Sequence, residues 1–427
     1  MFAKINPFNP NSVVSTNLFA GRSFQVDGIC KKLKSIKLNM PVSFFIHGER
    51  GIGKTALVKL IKYVSSMKDK ELHDLNLLTS YYSVEDGQEI SSVLQESVNK
   101  IADNMDKDTI SMVGSKLGNL FKNGKFEIGA YGFNIGIEAG KNASISQKEI
   151  TIKDQTAGIL SNLIDAINEE NPKNPERKKD GILIIIDEVH NLADLSGSAS
   201  ILRNIITTLD VDGKGRISFI LVGYNEDVEK FFLKDYSSRR TFDLIPLTVM
   251  PENEAVDVLK KGFNAAEITW DEDALKQNIL VAGGYPHSIQ VIGHSLIHSD
   301  KDGNINQEDW DNATIEATFA LKSKEFSSMY SFNKHLTICD TILQELANKN
   351  IPLSKKDLNK NIGKNIYQYI PKLLKSGAIK IKEDDKKVVL HSQLFRTAIL
   401  VDEFIRSREK EKKEQKQGDN VNSNPKG

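Results

Sequence analysis

This chain of 427 residues has few of the features that mark several common classes of protein. Its two cysteines, Cys30 and Cys339, lie far apart in the sequence, which excludes a disulfide framework and a cysteine-rich zinc site. No stretch approaches the roughly 18 consecutive apolar residues of a membrane span, and the first residues lack the apolar core of a signal peptide. We therefore expect a cytoplasmic protein without a membrane partner.

The chain also has no excess of charge of either sign. Its 57 Lys and Arg balance 57 Asp and Glu, which argues against a globally basic nucleic-acid coat protein but leaves room for a local basic face. Hydrophobic residues make up 39% of the sequence, enough to build sizeable cores. At about 150 residues per domain, the length indicates about three units.

Apolar runs and helical patterns alternate along the first half of the chain. The run Ile182–Ile186 is apolar at every position, which is typical of a central strand buried on both faces of a parallel sheet. The alternation predicts an α/β fold with a parallel sheet and helices on both faces. The predicted elements are helix Arg22–Lys37, strand Val42–Ile46, helix Thr55–Met67, strand Asn76–Val84, helix Ile90–Met105, helix Gln155–Asn168, strand Ile182–Ile186, helix Ser200–Leu209 and strand Ile217–Val222.

Residues 121–150 depart from this alternation. The segment Lys125–Glu138 is rich in glycine and alternates imperfectly between apolar and polar residues, which predicts an inserted β-hairpin. Two interpretations stay open, since the hairpin is either a structural flap or a surface that contacts a partner or a neighbouring subunit.

One segment fits the phosphate-binding pattern G-x-x-x-x-G-K-[ST] in full, between a predicted strand and a predicted helix. Glycines let backbone N–H groups surround phosphates, the lysine neutralises their charge, and the Thr hydroxyl binds Mg²⁺. The helix that follows adds its positive N-terminal end. We therefore predict ATP and Mg²⁺ as ligands. The predicted nucleotide-binding residues are Gly48, Glu49, Arg50, Gly51, Ile52, Gly53, Lys54, Thr55 and Ala56.

Two acidic residues, Asp187 and Glu188, follow the apolar strand Ile182–Ile186 directly. Ligands of open parallel sheets lie beyond the carboxyl ends of the strands, so these carboxylates are expected to face the nucleotide. Asp187 together with Thr55 is predicted to hold Mg²⁺. Glu188 is predicted to orient or deprotonate the attacking water.

Three further polar residues are candidates for catalysis. Asn225 follows the strand Ile217–Val222 and is placed to contact the γ-phosphate or the attacking water, although it also suits a turn. Arg239 and Arg240 follow a polar stretch, and either could reach the γ-phosphate bound by an adjacent subunit. A solvated or salt-bridged arginine is the alternative, and the sequence does not distinguish the two residues.

Together these motifs resemble an AAA+ ATPase of the origin-recognition initiator type, with kinship to the STAND signalling NTPases. The short element Phe19-Ala20-Gly21-Arg22 resembles the one that opens this domain near the adenine base. The resemblance covers about residues 15–300 and implies a nucleotide-binding core, 1–250, with the hairpin insert, followed by a helical lid, 251–333. It also implies that Asn225 is the sensor-1 residue and that one arginine of the pair 239 and 240 is an arginine finger in an ATP-bound homo-oligomer.

The lid departs from the initiator pattern. The segment Gly283-Gly284-Tyr285-Pro286 is not followed by the sensor-2 arginine of initiator-type proteins. It resembles instead the G-x-P element of STAND proteins, which implies that Pro286 lies near the nucleotide. This departure favours a nucleotide-operated switch, while a simple turn between two helices is the alternative.

The segment 334–405 is predicted to form a separate module. Three short helical patterns, Leu336–Leu346, Lys355–Lys360 and Asn365–Ser376, precede two strands that flank a turn, Ala378–Lys382 and Lys387–Leu390. This order resembles a winged helix-turn-helix. Residues 334–403 carry 13 Lys and Arg against 8 Asp and Glu, as contact with double-stranded DNA would require. Docking of a protein partner stays open, and residues 406–427 are expected to be disordered.

The sequence thus predicts an ATP-hydrolysing molecular switch whose nucleotide state controls the binding of DNA or of a protein. The alternative is a STAND-like signalling or defence NTPase that oligomerises on a protein or ligand trigger without binding DNA.

Overall fold

The chain divides into two compact units, one formed by Ser15–Thr248 and the other by Met1–Val14 together with Val249–Gly427. No helix in the described part of the chain is long and apolar enough to cross a membrane. The computed structural model describes residues 5–11, 20–66, 74–105, 121–122, 125–126, 145–168, 178–279, 284–325, 337–382, 385–390, 395–396, 398–403 and 406.

The first unit contains a parallel sheet of five strands. Its strands are, in chain order, β1 (Ser43–Gly48), β2 (Leu77–Ser83), β3 (Phe121–Lys122), β4 (Lys125–Phe126), β5 (Gly181–Asp187), β6 (Ile217–Gly223) and β7 (Phe242–Leu247). The order across the sheet is β2-β5-β6-β1-β7, and every neighbouring pair is parallel. Every residue of β5 and β6 is buried, so both faces of the sheet are covered there. The predicted α/β fold is confirmed.

Among the described residues of this unit, six helices connect or flank the strands. They are α1 (Ser23–Leu33), α2 (Lys54–Ser66), α3 (Ile90–Ala102), α4 (Ile145–Asn168), α5 (Leu195–Val211) and α6 (Asn225–Phe232). Short 3₁₀ turns cover Lys34–Leu38, Val189–Asn191 and Tyr236–Arg240. Apolar side chains of α3, α4, α5 and α6 share one core with β5 and β6. Helices α2 and α3 begin within one residue of where their sequence patterns place them, whereas α5 begins five residues before the predicted Ser200.

Two features of this unit differ from the expectation or extend beyond it. Helix α4 begins ten residues before the predicted Gln155, at Ile145, in a stretch of mixed polarity with weak helical periodicity. Strands β3 and β4 pair antiparallel within the region where the hairpin insert is predicted. The remaining part of that region, 127–144, lies outside the described residues, so the hairpin insert stays a prediction.

The second unit is mainly helical. Its described elements are α7 (Glu252–Ala265), β8 (Thr269–Trp270), α8 (Glu272–Asn278), α9 (Pro286–Ser299), β9 (Asn304–Ile305), α10 (Gln307–Glu325), α11 (Ile338–Lys349), α12 (Lys355–Ile362), α13 (Ile370–Lys375), β10 (Ile379–Ile381) and β11 (Val388–Leu390). Strands β8 and β9 form a short parallel pair, and β10 and β11 form an antiparallel pair.

Within the described residues 337–390, this unit has three helices followed by an antiparallel pair of strands. Ser354 caps α12, because its Oγ accepts a hydrogen bond from the backbone N–H of Asp357 at 3.1 Å. Helix α13 begins at Ile370, not at the predicted Asn365, since Pro371 has no N–H to donate and is tolerated only in a first turn. The winged-helix interpretation of this segment stays a prediction.

Candidate functional site

The phosphate-binding loop connects β1 to α2 at the carboxyl edge of the sheet. Gly51 and Gly53 have φ angles of 77° and 91°, which side-chain-bearing residues rarely adopt. The turn is closed by a hydrogen bond from the N–H of Ile52 to the carbonyl oxygen of Glu49, at 3.4 Å. The helix begins at Lys54, so the N-terminal end of α2 faces the loop. Loop and helix therefore have the arrangement that binds phosphate.

Lys54 is the most buried charged residue of this loop, with 8% of its surface exposed. Its Nζ donates to the carbonyl oxygens of Gly48 and Glu49, both at 3.0 Å. Burial lowers the pKa of Lys54, while the charges of Glu188 and Asp187 raise it. The two carbonyls and the acidic pair stabilise the cation in a partly desolvated position, where an anion would interact with it strongly.

Thr55 and Asp187 come together across the sheet edge. The Thr55 hydroxyl donates to Oδ2 of Asp187 at 2.8 Å, and Asp187 is 1% exposed. A hydroxyl and a carboxylate are oxygen ligands of the kind that Mg²⁺ prefers, and Mg²⁺ typically uses one or two protein ligands in addition to phosphates and water. The chemistry of this pair therefore fits the predicted magnesium site.

Glu188 has an unusual backbone conformation. Its φ is 58°, in the left-handed region that a non-glycine residue seldom occupies. Its N–H donates to Oδ1 of Asp187 at 2.9 Å, and its Oε2 lies 3.3 Å from Nδ1 of His190. Such backbone strain is maintained only where surrounding contacts fix it, and it is common at functional residues.

Strand β6 ends between β5 and β1, so the residues after it lie between Asp187 and the phosphate-binding loop. The ring of Tyr224 covers the Lys54 ammonium, with Nζ 4.4 Å from the ring centroid. Asn225 is exposed, and its Oδ1 forms a hydrogen bond with Nδ1 of His47 at 2.8 Å. Of the two residues that follow β6, Tyr224 is the one in contact with Lys54.

The two candidate arginines have different surroundings. Arg239 forms an ion pair with Glu229, and its guanidinium lies 5.5 Å from the ring centroid of Phe232 and 5.0 Å from that of Tyr236. Arg240 is exposed and enters no ion pair with a described residue. Arg239 is thus held within its own unit, whereas Arg240 projects from the surface.

Arg22, from the element predicted to lie near the adenine base, is 2% exposed and has a φ of 62°. Its Nη2 donates to the carbonyl oxygen of Ile52 at 3.2 Å and also to that of Thr248. Arg22 therefore connects the phosphate-binding loop to the last residue of the first unit. Phe19 of the same element lies outside the described residues.

Pro286 belongs to the second unit, where it is the first residue of α9. Gly284, two residues before it, has a φ of 67°, and its carbonyl oxygen accepts the N–H of Met250 at 2.7 Å. A Cβ on Gly284 would lie 2.3 Å from the backbone oxygen of Met250, so this position requires glycine. The nucleotide contact predicted for Pro286 stays a prediction.

Sequence reasoning missed the aromatic and histidine residues of this region. Tyr81 donates its hydroxyl to Oδ2 of Asp187 at 2.8 Å, and burial raises the pKa of Tyr81, with further contributions from the charge and hydrogen bond of Asp187. Burial followed by the charge of Glu188 also raises the pKa of Tyr224. His47 directly precedes Gly48, and Tyr224 directly precedes Asn225, so their sequence positions alone place them beside the predicted site. No signal in the sequence pointed to Tyr81, because its contact depends on strand order.

A sequence profile of the KAP family P-loop domain matches residues 22–237. This range includes the phosphate-binding loop, the acidic pair after β5 and the turn after β6. No curated protein sequence matches the chain significantly.

Several solved structures resemble the chain. The ORC2 protein of Aeropyrum pernix, in ADPNP and ADP complexes, is 15% identical with a TM-score of 0.44, and the match covers 95% of this chain and 99% of that one. A Walker-type ATPase of Pyrococcus abyssi is 13% identical with a TM-score of 0.47, over 87% and 95%. A STAND protein of Pyrococcus horikoshii with a tetratricopeptide repeat sensor is 11% identical with a TM-score of 0.34, over 93% and 44%.

Proposed function

This chain belongs to the KAP family of P-loop NTPases, and on that premise we propose that it binds ATP with Mg²⁺ and hydrolyses it. The observation that carries the proposal is the contact between Thr55 and Asp187, at 2.8 Å, directly beside the buried Lys54. Two residues 132 positions apart in the sequence thus form one oxygen-lined site next to a buried cation. A purely structural glycine turn has no need of this combination.

In this proposal the phosphates contact the loop residues from Gly48 to Ala56, and Lys54 exchanges its carbonyl partners for phosphate oxygens. Thr55 and Asp187 hold Mg²⁺, which when bound neutralises negative charge on the phosphates. Glu188 orients or deprotonates the water that attacks the γ-phosphate. Asn225, oriented by His47, contacts the γ-phosphate or that water.

We assign the role of arginine finger to Arg240. Its exposed position suits a contact with ATP bound to a second copy of the chain, whereas Arg239 would first have to leave Glu229 and two aromatic rings. This assignment makes hydrolysis dependent on self-association in the ATP-bound form.

The nucleotide site is tested with Lys54→Ala, measured by binding of a fluorescent ATP analogue in the presence of Mg²⁺. Removal of the buried ammonium is expected to weaken binding at least a hundredfold, because a charge-assisted contact is lost in a partly desolvated site. Lys62→Ala, on the same helix but outside the loop, is the matched control and should bind as the wild type does. Unchanged affinity in Lys54→Ala would overturn the site assignment.

We further propose that double-stranded DNA is the partner whose binding the nucleotide controls, through a winged helix in the last part of the second unit. The five lysines of the basic cluster predicted in this segment are all exposed, and none of these five forms an ion pair with a described residue. Such lysines can release counterions from a phosphate backbone. They are Lys364, Lys372, Lys375, Lys380 and Lys382.

Duplex DNA should raise the ATPase rate, and its affinity should fall steeply as salt increases. A variant with Lys372, Lys375 and Lys380 changed to Gln is expected to lose DNA binding while keeping ATP affinity. The matched control changes Lys355, Lys356 and Lys360 of α12 to Gln. DNA that neither binds nor stimulates hydrolysis at low salt would exclude this partner.

A protein- or ligand-triggered switch without DNA is the second candidate. It is favoured by the contact of Gly284 with Met250, because this contact joins the residues before α9 to the start of the segment Val249–Gly427. The analogous contact of Arg22 with Thr248 ties the phosphate-binding loop to the end of the first unit. A nucleotide-dependent shift of Arg22 or of Gly284 would then move the backbone of residues 248–250, which connects the two units. ATP-induced self-association that DNA does not influence would favour this candidate.

A further inference from the structure

The carboxylate of Asp187 is held by three hydrogen-bond donors. Oδ2 accepts the hydroxyls of Thr55 and Tyr81, both at 2.8 Å, and Oδ1 accepts the N–H of Glu188 at 2.9 Å. An ionised carboxylate has roughly four acceptor sites, so most of its capacity is used and its orientation is fixed. Two of these donors, Thr55 and Glu188, belong to residues that already have a predicted role in the site.

Tyr81 lies on β2, which neighbours β5 in the sheet. In the parallel register Tyr81 pairs with Ile185, and Ser83 pairs with Asp187. Side chains two residues apart on a strand lie on the same face, so Tyr81 and Asp187 share a face and are offset by two residues along the strands. The length of the tyrosine side chain spans this offset, which a serine or threonine at this position could not do.

Tyr81 is itself held in place at its ring and at its backbone. Nζ of Lys59 lies 5.6 Å from the centroid of its ring, and Nζ of Lys100 donates to its backbone carbonyl oxygen at 3.2 Å. The ring is half-buried, and the hydroxyl lies 2.8 Å from Oδ2 of Asp187. Tyr81 is therefore a fixed donor to Asp187.

We propose that Tyr81 is a positioning residue that orients the Asp187 carboxylate for Mg²⁺, an inference that rests on the proposed nucleotide site. In this proposal Thr55 gives its oxygen to the metal, which leaves Tyr81 as the remaining hydroxyl donor to Oδ2. Hydrogen-bond partners of metal ligands typically change metal affinity 10- to 100-fold when they are removed. The Tyr81 hydroxyl is such a partner.

The test measures the Mg²⁺ concentration that gives half-maximal binding of fluorescently labelled ADP. Tyr81→Phe removes only the hydroxyl and leaves the ring to pack, and it should raise this concentration at least tenfold. Affinity for labelled ADP in EDTA should stay within about twofold of the wild type, because no phosphate contact is changed. The matched control is Tyr82→Phe, since the Tyr82 hydroxyl accepts from Gln88 at 2.7 Å and lies on the opposite face of β2.

A double-mutant cycle with Asp187→Asn shows whether Tyr81 acts through Asp187. We expect Tyr81→Phe to change the Mg²⁺ requirement in the wild-type background and to change nothing further beside Asp187→Asn. An equal shift in both backgrounds, or an unchanged requirement in Tyr81→Phe, would overturn the inference. A wild-type chain that binds labelled ADP without any response to Mg²⁺ would overturn the proposed metal site and this inference with it.

Discussion

The start of the phosphate-binding loop leaves no room for a side chain at Gly48. A Cβ there would lie 2.8 Å from the backbone oxygen of Leu247 and 3.0 Å from Cγ2 of Ile52. Ordinary contacts to a Cβ begin at 3.4 Å. Gly48→Ala must therefore move the end of β7 or the loop by about 0.6 Å, the difference between 2.8 and 3.4 Å. The close atom of Leu247 belongs to the backbone, so a change of side-chain rotamer cannot relieve the contact.

The cost of this shift can be estimated. Overpacking by one methyl group destabilises a protein by about 1–3 kcal/mol. For a unit the size of Ser15–Thr248, each kcal/mol lowers Tm by about 2–4 °C, so we expect a decrease of about 2–12 °C. The carbonyl of Gly48 also accepts the Lys54 ammonium at 3.0 Å, so the same shift disturbs the phosphate site. We expect ATP affinity to fall about tenfold or more, equivalent to about 1.4 kcal/mol.

Thermal unfolding and binding of a fluorescent ATP analogue measure both effects. The control is Gly28→Ala in α1, where an added Cβ meets nothing within 4 Å. Because alanine is the better helix former, this variant should be more stable than the wild type by about 0.5–1 kcal/mol and should bind ATP normally. A Gly48→Ala protein that melts and binds like the wild type would refute the packing argument.

Two further predictions concern catalysis and stability. If Arg240 acts on ATP bound to a neighbouring subunit, Arg240→Ala and Lys54→Ala should each lack ATPase activity alone. A mixture of the two variants should recover activity, because the Lys54→Ala subunit supplies Arg240 to ATP bound by the Arg240→Ala subunit. No recovery at any mixing ratio would contradict the assignment. Hydrogen bonds from Lys234 and from the N–H of Gly197 lower the pKa of Asp194 to about 2. Its charge therefore stabilises the fold above about pH 4, and this contribution is lost as the pH falls through about 2. At pH 7, Asp194→Asn should lower the free energy of unfolding by less than about 1 kcal/mol, because the ion pair between Asp194 and Lys234 is half-exposed. Below pH 2 the substitution should not change the free energy of unfolding. Denaturant unfolding across this pH range measures both.

Local sequence patterns predicted most elements of the sheet unit. The uniformly apolar run Ile182–Ile186 is the core of β5, whose residues are all buried, because only a central strand can bury both faces. Weakly periodic or interrupted segments were less predictable. Residues before Gln155 join α4 despite their mixed polarity, and Pro371 delays the start of α13. In both cases the existence of the helix was predicted and its first residue was not.

The candidate site was predictable where its residues are neighbours in the sequence. The loop Gly48–Thr55 could be read directly, because its conformation needs glycine at Gly51 and Gly53. Contacts that depend on sheet order could not be read in this way. Tyr81 meets Asp187 only because β2 lies beside β5 in a particular register. A single sequence contains the strands but not the order in which they pair.

The polar groups of the candidate site already form hydrogen bonds within the protein. The affinity for a nucleotide therefore depends on these bonds as well as on the residues of the motif. The Lys54 ammonium is bound by two carbonyl oxygens, and the Thr55 hydroxyl is bound by Asp187. In the proposed complex, phosphate and metal replace these contacts, so the net binding energy is a difference between two sets of hydrogen bonds. Removing one of these hydrogen-bonding groups strengthens binding if the group competes with the ligand. It weakens binding if the group orients a residue that contacts the ligand. In the proposed complex the Tyr81 hydroxyl orients Asp187 and is not displaced by the metal, so its removal is expected to weaken metal binding.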